Sequence, residues 1–266
     1  MMYQTILIDS GVRYMNSILD SGEKPAVLTA ILKQQTTERA RKVINSGMDV
    51  QAGSAIIIGR NNFLEKFYRS CPIGITVEGS NTLTRSLIIF GQGLNKSHPY
   101  ISKLVESLLS NDKTGEFDKL FRQMISHAVT LYFRSMFSKT SNNNISIRWQ
   151  SNVVTFANLC NISSLIGGSL KKEQILSGHM ADLFSQCYLA NAILWDYESR
   201  GLHNHPSKFL VLKQLNQEFN ESQFKVINQL PWNLQLLAKM SCRTIKKETL
   251  ATADIEYLSS LMWTDQ

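Results

Sequence analysis

Apolar residues recur every three to four positions along almost the whole of this chain, and that period commits it to helices packed face to face. Tyr3, Ile6, Leu7, Tyr14, Met15, Ile18 and Leu19 share one face of a first helix. Ser21-Gly22 ends it, because glycine accepts the left-handed position that closes a helix. Pro25 suits the opening turn of a second helix, where its missing N–H costs nothing. Val27, Leu28, Ile31, Val43 and Ile44 mark the buried side, with Gly47 near the end. His98-Pro99 opens a later helix carrying Ile101, Leu104, Val105, Leu108 and Leu109, which Asn111-Asp112 breaks. Phe117, Leu120, Phe121, Met124, Ile125, Ala128 and Tyr132 predict the inward stripe of the next. After a loop at Ser141 to Asn144, Val153, Val154, Ala157, Ile162, Leu165 and Ile166 form another stripe. Gly167-Gly168 bends the chain before a long helix through Leu183, Leu189 and Leu194 to Tyr197. A loop from Gly201 to Pro206 and three shorter helical patterns complete it. No internal repeat or low-complexity segment appears. The expected class is all-α: one helical bundle, a soft boundary near residues 93 to 99, then a second helical domain.

One stretch breaks the rhythm. From Asp49 to Thr82 the chain carries Gly53, Gly59, Gly74 and Gly79, with Pro72 between them and apolar runs such as Ile56-Ile57-Ile58 and Ile75-Thr76-Val77. It reads as a long, glycine-punctuated connection, and such connections are uncommon and often functional. Regular helix is expected again from Leu83 to Gly91.

Composition narrows the class of function. The formal net charge of the 266 residues is +7, which favours acidic partners. The cations are scattered, however, with no basic run or aromatic interleaving, so nucleic-acid binding is not expected. Cys71, Cys160, Cys187 and Cys242 lie far apart, in neither a disulfide framework nor a zinc spacing, which fits a reducing cytoplasm. Met1 to Tyr14 lacks the order of a signal peptide. The uncharged run Trp149 to Leu170 is interrupted by Gln150, Asn152, Thr155, Asn158 and Asn161. It reads as a buried helix rather than the ~20 apolar residues of a membrane span.

Few residues offer chemistry by pattern alone. His203 and His205 flank Asn204 in a loop, but no third metal ligand accompanies them, and no metal site is expected. His98 sits at a helix start, where capping or packing is the default; His127 and His179 lie inside helical patterns. Lys171-Lys172 reads as a solvated pair. Glu78 differs in setting. It is one acid within Pro72-Ile73-Gly74-Ile75-Thr76-Val77-Glu78-Gly79-Ser80. A carboxylate crowded by apolar groups loses hydration and becomes a stronger base. Gly79 beside it would let a ligand approach the backbone. Spacing alone favours a plain role, an acid complementing the positive end of the helix that follows.

The segment Pro72 to Gly93 resembles acyl-CoA dehydrogenases. Their motif has a Glu-Gly pair, a small residue, and an Arg seven positions after the Glu; here these are Glu78, Gly79, Ser80 and Arg85, followed by Phe90-Gly91-Gln92-Gly93. Asp20 to Arg41, Ile166 to Lys172 and Asp182 to Gln186 are similar to further segments of the bacterial long-chain subgroup, whose subunit carries an additional helical C-terminal domain. The resemblance implies residues 1–95 as part of the catalytic helical domain and 96–266 as the additional one. It implies FAD-dependent α,β-dehydrogenation of fatty acyl-CoA in β-oxidation. Glu78 would be the catalytic base. Glu78 and Gly79 would bind substrate, and Ser80, Gly53 and Arg85 would contact the flavin. It also implies an electron-transfer flavoprotein as electron acceptor, a homo-oligomer or a missing N-terminal half supplied in trans, and a cytoplasmic location that allows peripheral contact with the inner membrane.

The chain departs from that pattern. The family's Gly-Gly-x-Gly turn aligns with Ala52-Gly53-Ser54-Ala55, and Lys96-Ser97-His98-Pro99 stands where an Arg precedes Cys-His-Pro. Nothing reads as the N-terminal helical domain or the middle β-domain of such enzymes. The alternative is an inactive or split-gene fragment that serves only as a helical interaction module.

Overall fold

A computed structural model describes residues 1–93, 98–109, 114–138 and 144–242, and every regular element among them is helical. The all-α expectation holds. The chain forms two compact units. Unit 1 contains Met1–Arg85 and Tyr188–Gln217; unit 2 contains Ser86–Cys187 and the chain from Glu218 to the last described residue, Cys242.

In unit 1, α1 (Met2–Asp20) packs on α2 (Ala26–Gln51), and α2 packs on α3 (Leu64–Thr76). The predicted stop of α1 is present: Gly22 has φ 86° and its N–H bonds the Leu19 carbonyl at 3.0 Å. Leu7, Met15 and Ile31 are buried at the α1–α2 contact. Gly11 allows close approach there: a Cβ on it would lie 3.3 Å from Leu32 Cδ1 and 3.4 Å from Leu189 Cδ2. Tyr188, in α8 (Gln174–Ser199), donates its hydroxyl to the Gly11 carbonyl at 2.9 Å, and burial pushes that phenol's pKa up. Arg39 is buried too. Its Nε donates to Gln35 Oε1 at 2.9 Å, and its guanidinium lies 5.9 Å above the Tyr3 ring.

The glycine-punctuated stretch is not one long connection. α2 runs past Gly47 to Gln51, a short 3-10 turn covers Ala52–Ile56, and α3 occupies the middle with Pro72 inside it. Two local causes explain the helix that the glycines concealed. Asn62 Oδ1 accepts the Glu65 N–H at 3.1 Å, satisfying a first-turn donor, while its Nδ2 donates to the carbonyls of Ser54 and Ile57 at 3.2 Å. Gly47 and Gly74 meanwhile serve packing. A Cβ at Gly47 would lie 2.9 Å from Leu64 Cδ1, and one at Gly74 would lie 3.4 Å from Thr37 Cγ2. The glycines let α2 and α3 close on each other rather than loosening the chain.

The helix expected from Leu83 begins as α4 (Asn81–Leu83) and continues as a π-helical run, Thr84–Gln92. In unit 2 follow α5 (Ile101–Leu109), α6 (Thr114–Phe137), α7 (Ile145–Ser164), the first half of α8, the last part of α9 (Pro206–Gln229) and α10 (Trp232–Ser241). α9 is a long helix rather than one of three short patterns. The last of those patterns, like Asn111-Asp112 and Ser141 to Asn143, lies outside the described residues. Asn144 caps α7, its Oδ1 accepting from the Ser146 and Ile147 N–H groups at 3.0 and 3.2 Å.

α7 is the buried helix anticipated from its uncharged run. Trp149, Leu159 and Ile162 are buried, with Trp149 edge-on to Phe219 at 5.7 Å. Among its buried polar residues Asn158 finds a partner inside the unit, its Nδ2 donating to Ser241 Oγ at 2.8 Å. α6 differs from expectation. It packs on α5, α7 and α10, yet Phe121, Ile125, Val129, Phe133 and Phe137 are exposed. Spaced by four, they line one outward face, so only part of the predicted stripe faces the core. Among the described residues no helix is long and apolar enough to cross a membrane.

Candidate active site: the Glu78 turn

The turn that carries Glu78 joins α3 to α4. Val77 closes α3 in an extended conformation, and then Glu78 and Gly79 both take positive φ, 57° and 91°. The second position suits glycine; the first is a conformation that costs an ordinary residue ~1–2 kcal/mol. Ser80 starts the next helix, its hydroxyl accepting the Leu83 N–H at 3.3 Å. Ser80 therefore serves as a helix cap in this chain, with its own hydroxyl proton left to donate elsewhere.

Side chains from α2 hold this turn. Lys33 Nζ donates to the Gly79 carbonyl at 2.7 Å and to Asn81 Oδ1 at 2.9 Å. Asn81 is buried, and its Nδ2 donates to Thr37 Oγ1 and Glu38 Oε1, each at 2.9 Å. Thr37 also seats Gly74. Lys33, Thr37 and Glu38 thus clamp both the end of α3 and the start of α4. Pattern reading did not single them out. Lys33 and Thr37 are one helical turn apart and so share a face, but nothing local indicates that their partner is forty residues away.

Glu78 itself is exposed, as are Val77 and Ile73 beside it. The apolar surround expected from its neighbours in sequence is absent. Ile73 sits on an exposed face of α3, Val77 at its end is exposed as well, and the chain leaves α3 through the positive-φ pair, so neighbours in sequence do not enclose the carboxylate. The plain reading, an acid near a helix start, also finds an observation, since Glu78 lies three residues before Asn81, the first residue of α4.

The remaining candidates scatter. Gly53 lies in the 3-10 turn, where a Cβ would meet open space, so no packing demand within the chain explains a glycine there. Ala52, at a position where the family pattern has glycine, has φ 50° and ψ −130°. Arg85 is half-buried in the π-helical run. His98 Nδ1 accepts the Tyr100 N–H at 3.2 Å, the capping role anticipated for it. His205 accepts the Ser207 N–H at the start of α9, and His179 lies 3.5 Å from Asp182. Lys171 and Lys172 are exposed.

The fold and this turn define a two-unit, all-helical protein with a carboxylate on an anchored, left-handed turn. Residues 95–254 match the family described as "Acyl-CoA dehydrogenase, C-terminal, bacterial type", and the chain belongs to that family. Glu78 lies before the matched region. A crystal structure of an acyl-CoA dehydrogenase complexed with FAD from Bacillus anthracis superposes with a TM-score of 0.72 at 17% identity. That match covers 98% of this chain and 47% of the other, so the chain spans about half the length of the protein it resembles.

Proposed function

We propose that this chain is the C-terminal part of an FAD-dependent acyl-CoA dehydrogenase acting on fatty acyl-CoA in β-oxidation, with Glu78 as its base. The observation that carries the reading is the clamped turn: Lys33 and Asn81 hold a strained Glu78-Gly79 pair at the end of α3. Strain of this kind persists only where the surroundings impose it, and it collects at functional sites. Glu, Gly and the small residue of the expected order sit on that turn, and the Arg follows in the π-helical run.

In this reading the carboxylate of Glu78 takes the proton from the carbon next to the thioester. The N–H of Glu78 donates to the thioester oxygen, where negative charge develops as the proton leaves. Gly79 keeps a side chain out of the path of the substrate. FAD held by Ser80, Gly53 and Arg85 would supply the redox chemistry, an acceptor for the hydride of the neighbouring carbon. Two features fit a flavin contact: the Ser80 hydroxyl proton is available to donate, and the backbone at Gly53 is open on the side a Cβ would occupy. Arg85 is the third residue assigned to it. Bound substrate and a covering polypeptide would strip water from Glu78 and strengthen it as a base.

That cover would come from the other domains of such an enzyme. Ile56, Ile57, Ile58, Phe63, Phe67 and Ile73 are all exposed in unit 1, an apolar surface suited to another polypeptide. An N-terminal half, supplied in trans if need be, or a second copy would provide it, with an electron-transfer flavoprotein as acceptor. The exposure of Glu78 and the alanines at positions 52 and 55 favour a second reading, a helical interaction module that has lost the chemistry.

Flavin retention separates the two. The chain is purified alone and mixed with a polypeptide carrying the N-terminal and middle domains. Flavin held by the mixture, bleached by acyl-CoA with wild-type chain and not with E78Q, is the expected result. A well-folded chain that holds no flavin in either sample overturns the enzyme reading and leaves the interaction module.

A further inference from the structure

Unit 2 contains a cavity of about 150 Å³ whose lining includes no residue of the Glu78 turn. Its wall is mainly apolar. Phe90, Leu131, Phe156 and Phe184 line it, and the last two rings stack with centroids 5.4 Å apart and planes within 14°. A cavity of this size in an apolar wall accommodates a ring the size of benzene.

Three polar side chains interrupt that wall: His98, His127 and Asn161. Their hydrogen bonds determine which atoms are spoken for. The Tyr100 N–H donates to His98 Nδ1 at 3.2 Å, so that nitrogen is the acceptor and the ring proton sits on Nε2. His98 Nε2 then donates to Asn161 Oδ1 at 3.1 Å. With its oxygen turned to His98, the Asn161 amide has its nitrogen on the other side, and Nδ2 is buried without a hydrogen-bond partner. A buried amide donor with no acceptor is rare in folded proteins and calls for one.

The charge of the ligand follows from the same wall. Among the described residues no Lys or Arg lines the cavity. His127 stands edge-on to His98 at 6.1 Å and to Tyr100 at 5.6 Å; burial, then the neighbouring His98, lower its pKa and favour the neutral ring. A carboxylate entering here would lose its hydration and meet no cation among the described lining residues.

We infer that this cavity binds a small neutral aromatic carbonyl compound, its ring against Phe156 and Phe184 and its oxygen accepting from Asn161 Nδ2. The site is separate from the flavin reading and stands or falls without it. It uses side chains of the π-helical run, α6, α7 and α8, and none from the Glu78 turn.

The probes are acetophenone and ethylbenzene, which share a ring and nearly a shape but differ in the acceptor oxygen, with benzoate as the charged counterpart. NMR of the purified chain reads the side-chain resonances of His98, His127 and Asn161 during titration. Acetophenone is expected to shift them saturably. Ethylbenzene should bind about tenfold more weakly, the worth of one net hydrogen bond, and benzoate more weakly still. Ala157 also lines the cavity, and A157L, which fills it, should abolish binding. Ala157→Val, a smaller intrusion, should weaken binding and serves if the larger side chain disturbs folding. Absence of any shift at saturating acetophenone overturns the site. Equal affinity for ethylbenzene, or tighter binding of benzoate, overturns the neutral-carbonyl assignment. Undiminished binding by a folded A157V also overturns the location.

Discussion

Lys33 Nζ lies 2.7 Å from the Gly79 carbonyl oxygen, and this single bond ties the Glu78 turn to a helix more than forty residues earlier in the chain. A second bond from the same ammonium, to Asn81 Oδ1, makes Lys33 the link between the two sides of the turn. Lys33→Met keeps the stem and removes both bonds. The expected cost is about 1–2 kcal/mol, at the modest end for hydrogen bonds to a charged donor because the group is half-exposed. Amide exchange at Leu83 and Thr84, whose N–H groups bond Ser80, should quicken in step. Native-state hydrogen exchange checks this, and unchanged protection there would show that the turn holds itself.

Ala52 pays a backbone cost that the family's glycine would not. At φ 50° and ψ −130° its Cβ is crowded, a penalty of ~1–2 kcal/mol, while glycine loses ~0.5–1 kcal/mol through its freer unfolded chain. Ala52→Gly should therefore stabilise the protein by about 0.5–1 kcal/mol in urea unfolding. A destabilised variant would contradict the strain argument.

Ser10 and Asp196 form a buried pair. The hydroxyl donates to Asp196 Oδ2 at 2.8 Å, and Asp196 is 2% exposed. Arg200 stands 3.7 Å from the same oxygen and is itself half-exposed. Ser10→Ala leaves a buried carboxylate short of a donor, at a cost of about 1–3 kcal/mol. Ser54→Ala, which removes only an exposed bond to the Gln51 carbonyl, should stay within about 0.5 kcal/mol. Equal losses in the two variants would mean that burial does not govern the effect.

His127 makes stability depend on pH in a known direction. Its folded pKa lies below the ordinary 6.5, through burial first and His98 second. The fold therefore favours the neutral ring. That contribution is fully present above pH 6.5 and is lost as pH falls from 6.5 through the folded value. Urea midpoints measured downward from neutrality should drop less steeply in His127→Phe than in the wild type. Parallel curves would assign the acid sensitivity to other groups.

Helical periodicity sufficed to place α1, α2, α7 and α8, because each covers several turns and its apolar residues repeat often enough to average out local exceptions. Gly22, Gly167 and Gly201, which mark predicted breaks, all have positive φ. α3 was hidden because glycines that permit close packing look, in sequence, like glycines that end helices. Gly47 and Gly74 are of the first kind, and only the positions of Leu64 and Thr37 reveal it. For the same reason the outward face of α6 could not be told from its inward one: periodicity says that a stripe exists, not what covers it.

The amino-acid sequence by itself determined the all-helical class, the main breaks between helices and the Glu-Gly pair that marks the candidate site, since each depends on residues within a few positions of one another. Tertiary structure alone decided the rest. It brought Lys33, Thr37 and Glu38 onto the Glu78 turn, joined Tyr188–Gln217 to the first eighty-five residues in one compact unit, left Glu78 in solvent, and set Asn161 against His98 with an amide donor unspent. Those relations depend on contacts between helices far apart in the chain, and a local pattern carries no record of which faces will meet.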